Sequence, residues 1–354
     1  MGDKKVDIGV LEESSSFLLH PRFFPSKVGG KPAWLDLKNL PSPSETTCSS
    51  CEDPLIFLCQ VYAPYEESDE SFHRSIFIFI CKNGSCCQSN NAENFVVIRN
   101  QLPRKNEYYS FEPYEEDENE EFSMEKWSKL CEVCGTKAPS HCSKCKKIYY
   151  CSRKHQILDW KKGHKEKCDE MKGAEIVKPC NFIVTESGKG LLFKEWELVV
   201  DEEDEEEATN VDENSEMEKL RKLMQEKKAG SLTGVSEAEL DQYTQEQPVD
   251  KVFNKFSKRI ARHPDQVLRY DRGGAPLWIT GNTNSVAHIP NCEYCNGERQ
   301  FEFQIMPQLL NFIDVGIELN SIDWGVLVVY TCKNSCSEGP AYKREFIIKQ
   351  DLSQ

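Results

Sequence analysis

Apolar residues in this chain gather in short unbroken runs bounded by Gly, Pro, Asn and Asp. Leu55–Val61, Ile76–Cys81 and Phe95–Arg99 are such runs in the first third, and Phe301–Ile305, Trp324–Tyr330 and Glu345–Lys349 in the last. β-Branched and aromatic residues dominate them, which predicts strands. Their lack of alternation predicts strands covered on both faces. Helical spacing is rarer. Residues 215–228 and 248–262 read as helices, the second with Val252, Phe253, Phe256 and Ile260 on one packing stripe. The expected fold class is mostly β with small α content.

The two strand-rich stretches carry the same motifs in the same order. Gly29-Gly30-Lys31-Pro32-Ala33-Trp34-Leu35 recurs as Gly273-Gly274-Ala275-Pro276-Leu277-Trp278-Ile279, and each Trp precedes a Cys-x-x-Cys pair by 14 residues: Cys48/Cys51 and Cys292/Cys295. A second pair follows each apolar run, Cys81/Cys86 and Cys332/Cys336. Such repetition marks a duplicated module. Two homologous halves can bury matching apolar faces, so one body with an insertion is expected rather than separate beads. The predicted organisation is a first β module over 22–111, a Cys/His-rich unit over 127–170, an acidic linker with a helical segment over 195–247, and a second β module over 248–354. The Gly-Gly segments lack a following Lys-Ser/Thr and read as tight turns with a Trp anchor, not as phosphate loops.

Charge and cysteine content change the picture. The 354 residues carry a net charge of −15 and 17 cysteines. Residues 126–168 hold twelve Lys/Arg against three Asp/Glu, or +9, which leaves −24 on the rest. An acidic body repels nucleic acid and attracts basic polypeptides, although solubility alone explains the same balance. Asp201–Glu207 and Asp212–Glu218 read as a disordered or extended tether. The first residues have no apolar leader core, and no apolar run is long enough to span a bilayer, so no membrane partner is expected. A reducing compartment, cytoplasm or nucleus, follows, where cysteines serve metals.

The densest chemistry is Cys131-x2-Cys134, Cys142-x2-Cys145, Cys151-x3-His155 and His164-x3-Cys168. Eight donors in 38 residues suit two tetrahedral zinc ions. A unit this small depends on metal for its folding free energy, roughly 10–16 kcal/mol for structural zinc. In the β modules, Cys48, Cys51, Cys81, Cys86 and Cys292, Cys295, Cys332, Cys336 offer one further zinc (Zn2+) each. Cys87 is an alternative fourth ligand in the first set, and Cys59, Cys87 and Cys180 remain as packing residues or spare thiols. A redox role for the Cys-x-x-Cys pairs lacks the following amphipathic helix. His73, His263 and His288 have no partner at ligand spacing. Full ligand sets leave no open zinc position, and no catalytic motif occurs, so no enzyme is expected. Scattered lysines without a recognition helix argue against sequence-specific DNA binding.

The Tyr150-Cys151-Ser152-x-x-His155-Gln156 and Asp159-Trp160-x-x-Gly163-His164 stretches resemble the MYND zinc finger. The resemblance implies interleaved ligation: Cys131, Cys134, Cys151 and His155 on one zinc, Cys142, Cys145, His164 and Cys168 on the other. His155 stands where the family usually has Cys, and one extra residue precedes His164. The resemblance also implies a surface that binds peptide segments, often proline-rich.

From about residue 20 to the end, apart from the acidic linker, the chain resembles the programmed cell death protein 2 family. The resemblance rests on Phe24-Pro25-Ser26-Lys27-Val28-Gly29-Gly30, Arg99–Asn106, the finger, Gln304–Leu310 and Ser321–Gly325. It implies a non-enzymatic chaperone that captures a newly made, basic ribosomal protein of the universal S-five family and supports 40S ribosome biogenesis, in cytoplasm and nucleus. The competing expectation is an adaptor in nuclear transcriptional co-repressor complexes, working through the finger.

Overall fold

The computed structural model describes residues 6–116, 124, 126–171, 184–186, 188–203, 251–281, 288–313, 315 and 321–352. Ten strands close into a barrel, and a two-stranded hairpin belongs to the finger. The strands are β1 (Asp7–Glu12), β2 (Lys27–Val28), β3 (Ile56–Tyr62), β4 (His73–Ile80), β5 (Phe95–Leu102), β6 (Ser140–His141), β7 (Tyr149–Tyr150), β8 (Trp196–Glu202), β9 (Leu268–Tyr270), β10 (Arg299–Ile305), β11 (Val326–Cys332) and β12 (Tyr342–Gln350). Around the barrel the order is β1-β8-β2-β3-β4-β5-β12-β11-β10-β9, with β9 returning to β1. The duplicated halves are therefore β2–β5 and β9–β12. They meet directly at one seam, where Tyr342 faces Asn100 and Glu345 faces Val97.

The other seam is closed by β1 and β8, which pair over their full length from Asp7↔Glu202 to Glu12↔Glu197. Neither strand is expected from sequence, and β8 corrects the linker boundary. Residues 196–202 are barrel wall rather than tether, because Leu198 is buried inside the barrel while Asp201 and Glu202 stay at its exposed end. Glu203 is buried too, where Arg269 donates to it at 2.8 and 2.9 Å and Arg259 adds a further ion pair. Burial works against its charge, but the two guanidiniums outweigh that and lower its pKa. The remainder of the acidic run, residues 204–218, and the expected helix 215–228 lie outside the described residues.

Both faces of the sheet are covered, as the unbroken apolar runs require. Ile76, Ile78, Val97, Phe303, Leu327 and Val329 fill the interior. Trp34, Phe57, Phe77, Phe79 and Tyr342 cover the outside of the first half, and Ile279, Phe301, Val328, Ile348 and Phe256 cover that of the second. Phe256 sits on the helix Lys251–Ile260, whose Phe253 instead faces solvent at 39 % exposure. The repeat also repeats its hydrogen bonds. Gln60 accepts from Ala33 N at 2.9 Å and Gln304 accepts from Leu277 N at 2.6 Å. Asn100 likewise holds Asp36 N, as Gln350 holds Thr280 N.

The two Gly-Gly turns are not equal. Gly29 and Gly30 have φ of 68° and 66°, and a Cβ on Gly29 would stand 2.0 Å from the Lys194 carbonyl oxygen. Trp34 is fully buried and donates from Nε1 to the Gly135 carbonyl at 2.8 Å, so it ties barrel to finger. Trp278 is only half-buried, which corrects the expectation of an equivalent anchor in the second half.

Two buried histidines give the fold a pH response. Burial, reinforced by Arg22 and then Lys27, lowers the pKa of His20 to about 4; burial and then Arg104 do the same for His73. In the unfolded chain each takes a proton below about pH 6.5. The unfolded state therefore binds more protons between about pH 6.5 and 4, and stability falls as pH drops through that window. The melting temperature of His73→Gln should fall less steeply than wild type over this range. Equal slopes would contradict it.

Candidate metal centres

Among the described residues four groups of donors converge, and their membership is Cys48, Cys51, Cys81, Cys86; Cys131, Cys134, Cys151, His155; Cys142, Cys145, His164, Cys168; and Cys292, Cys295, Cys332, Cys336. Within each group all ligand atoms lie within 4.8 Å of one another. Thiolates about 2.3 Å from a tetrahedral zinc stand about 3.8 Å apart. The observed Sγ···Sγ distances are 3.6 Å for Cys51/Cys81, 3.6 Å for Cys134/Cys151, 3.8 Å for Cys142/Cys168, 3.7 Å for Cys292/Cys336 and 3.6 Å for Cys295/Cys332. Cys131 Sγ to His155 Nδ1 and Cys145 Sγ to His164 Nε2 are both 3.6 Å. The donor sets thus fit zinc in number, chemistry and edge length.

Local structure explains each finger position. Ser152 caps the helix Arg153–Asp159, accepting from His155 N at 3.2 Å, which sets His155 one turn above Cys151. Tyr150 Oη donates to Asp159 Oδ2 at 2.6 Å and locks that helix against β7. Gly163, at φ 140°, breaks the following wide turn and delivers His164 to the second set. Cys-x-x-Cys knuckles aim amides at sulfur. Burial opposes the Cys142 thiolate, yet the Cys145 amide, the His164 ring and the Lys144 amide outweigh it and bring the thiol down to about 6. Against the same opposition from burial, the amides of Cys51 and Ser50 bring Cys48 down to about 7.

In the barrel halves, Cys81 and Cys332 leave the ends of β4 and β11. Because β5 and β12 run antiparallel, the first set lies by the start of β5 and the second by its end, at opposite rims. Cys86 joins the first set. Cys87 instead donates to the Asp323 carbonyl at 3.2 Å and lies 3.4 Å from Lys349 Nζ. Cys59 is fully buried in the barrel, where burial raises its thiol pKa, and Cys180 lies outside the described residues. His73 accepts or donates at 3.0 Å with the Tyr62 hydroxyl, away from all four centres.

Sequence reading missed the groups that support the ligands. The Thr136 hydroxyl lies 3.2 Å from Cys134 Sγ, and Gly297 N donates to Cys295 Sγ at 3.4 Å. Arg99, wholly buried, points Nη2 at Cys336 Sγ from 3.8 Å and donates to its carbonyl. Such partners neutralise thiolate charge and fix ligand geometry. The one available signal was a basic residue inside an apolar strand. Elemental analysis of the intact protein should find four zinc ions per chain; a stable, folded chain with two would eliminate the barrel centres.

Family models match along the chain: "Programmed cell death protein 2, N-terminal domain" over residues 5–116, "MYND finger" over 131–168, and "Programmed cell death protein 2, C-terminal putative domain" over 250–351. The chain is 42 % identical to Programmed cell death protein 2 of Rattus norvegicus, covering 99 % of this chain and 97 % of the relative. It is 43 % identical to that of Mus musculus, covering 98 % and 97 %. A shorter match, 33 % identical over 25 % of this chain and 24 % of the relative, is to the Probable 20S rRNA accumulation protein 4 of Schizosaccharomyces pombe. No solved structure matches the chain significantly.

Proposed function

We propose, for a chain that belongs to the programmed cell death protein 2 family, a non-enzymatic role in making the small ribosomal subunit. The name of the Schizosaccharomyces pombe relative, which refers to 20S rRNA accumulation, carries the ribosomal part of this reading. The chemistry of the centres supports the non-enzymatic part. Each donor set is complete with four side chains, an arrangement that suits structural zinc.

The client is a newly made, basic small-subunit ribosomal protein of the universal S-five family, captured in the cytoplasm and accompanied to the nucleus. The acidic balance favours such a client, raising its on-rate more than its affinity. Capture of the full-length tagged chain from translating cells should enrich one small-subunit ribosomal protein together with its messenger RNA. Recovery of neither would overturn the proposal.

One observation favours a second reading, an adaptor for proline-rich or co-repressor proteins. Ile157, on the outer side of the finger helix, is 45 % exposed, unusual for an isoleucine on so small a unit. Ile157→Asp should then abolish capture of co-repressor proteins while leaving ribosomal-protein capture intact. The reverse result would assign Ile157 to the client surface.

A further inference from the structure

A pocket of about 280 Å³ opens on the outer side of the first half, between Arg22–Phe24, the start of β4 and the stretch Ser110–Tyr114. Its floor is aromatic. Phe24 stacks on His73 with ring centroids 4.2 Å apart at 21°, and Tyr62 stacks on Phe24 at 5.5 Å while its hydroxyl meets His73 Nδ1 at 3.0 Å. His73 stays neutral near pH 7, since its pKa is lowered to about 4. One wall is Arg104, held between two rings, its guanidinium carbon 4.1 Å from the Phe111 centroid and 5.1 Å from that of Phe72. Arg22 adds a second positive charge, 4.8 Å over Phe23, and Glu112 is the acidic group in the lining.

Arg104 makes no ion pair with a carboxylate among the described residues, although the chain has 59 Asp and Glu. A guanidinium whose carbon packs against two rings is restricted in orientation and still carries a planar fork of N–H donors. Such a fork is matched by an oxyanion that accepts two parallel hydrogen bonds, and little ordering entropy remains to be lost on binding. Phe111, at 53 % exposure, leaves an uncovered ring beside that fork. The volume sits at the low end for small-molecule sites, about 300 Å³, so it suits one or two side chains rather than a cofactor.

The geometry points to a docking site for a short acidic–aromatic segment of a partner protein, its carboxylate on Arg104 and its ring against Phe24 and Phe111. Charge selects this occupant over RNA. A chain of net charge −15 repels a polyanion at long range, while a single carboxylate interacts with Arg104 within a Debye length of about 8 Å. The site is independent of the ribosomal role, whose basic client would be repelled from Arg104 and Arg22, so failure of either proposal leaves the other standing.

Fluorescence anisotropy on the intact, zinc-loaded protein tests it with a labelled peptide of Asp-Phe-Glu between glycine spacers. Saturable binding is expected, weakened at least about tenfold by Arg104→Ala and by Phe111→Ala, with melting temperature and zinc content unchanged. Arg104→Lys, which keeps the charge and removes the fork, should weaken binding as well. The amide version, Asn-Phe-Gln, should bind at least about tenfold less tightly. Absence of saturation, equal binding of the amide peptide, indifference to both Arg104 substitutions, or tighter binding of a uridine-rich RNA would each overturn the assignment.

Discussion

Replacing Cys131 by Ser will unsettle the barrel as well as the finger. Cys131, Val133, Cys134 and Ala138 belong to the same apolar cluster as Val28, Leu58 and Phe193 of the barrel wall and its lining. Three polar ties run alongside: Trp34 Nε1 to the Gly135 carbonyl, the Thr185 hydroxyl to the Glu132 carbonyl, and Lys154 to Asp53. Structural zinc contributes roughly 10–16 kcal/mol to a folded site, whereas a whole domain is stable by about 5–15 kcal/mol. Loss of the first finger zinc therefore removes the knuckle that seals this side of the barrel. Cys131→Ser should lower the melting temperature by about 10 °C or more and speed amide exchange in β3 and β4. Cys142→Ser is the contrast. Its cluster of Cys142, Cys145, Ile148, Tyr150 and Cys168 is separate from the barrel, so its damage should stay in the finger. Unchanged exchange in β3 and β4 of Cys131→Ser would refute the coupling. By the same packing, deletion of residues 127–170 would disturb the barrel as well as remove the finger.

Sequence pattern was informative where local rules decide structure. Ligand spacing and the repeat located the donors, the MYND resemblance divided those of the finger into two sets, and apolar runs marked six of the barrel strands, because zinc spacing and strand composition are local properties. What escaped was non-local. β1 and β8 are recognisable only once they are seen to pair with each other, since their acidic ends, Glu12 and Asp201-Glu202, look like tether. Glu203 shows the same limit: inside an acidic run it reads as solvated, yet Arg269 and Arg259 bury it. Trp34 and Trp278 occupy matching positions in the repeat, and only the first lies under the finger. A duplicated motif thus predicted equal local geometry but not the packing that the insertion imposes on one half alone.

Arg74→Met should destabilise the barrel by about 3–5 kcal/mol, the cost typical of stranding one member of a buried ion pair. Arg74 and Glu302 are both wholly buried, joined by two hydrogen bonds of 2.5 and 2.8 Å across the interior between the two halves. Tyr270 and Thr331 also donate to Glu302, which holds its pKa down to about 2 against burial, chiefly through the charge of Arg74. The position arises from a bulge. Pairing passes from Phe301 to Phe303 with Glu302 as the extra residue, and the repeat places the same bulge in β3, between Phe57 and Cys59, where Leu58 is the extra residue. One half therefore shows what an apolar occupant of the bulge looks like. Glu302→Leu alone should also destabilise, by stranding Arg74. The double variant Arg74→Met/Glu302→Leu should recover most of the loss, because a buried pair replaced by apolar residues of similar volume is often neutral. Urea unfolding with zinc content held equal measures all three. A double variant as unstable as the sum of the single changes would mean that the pair is not coupled, and that the halves are held together by their apolar surfaces alone.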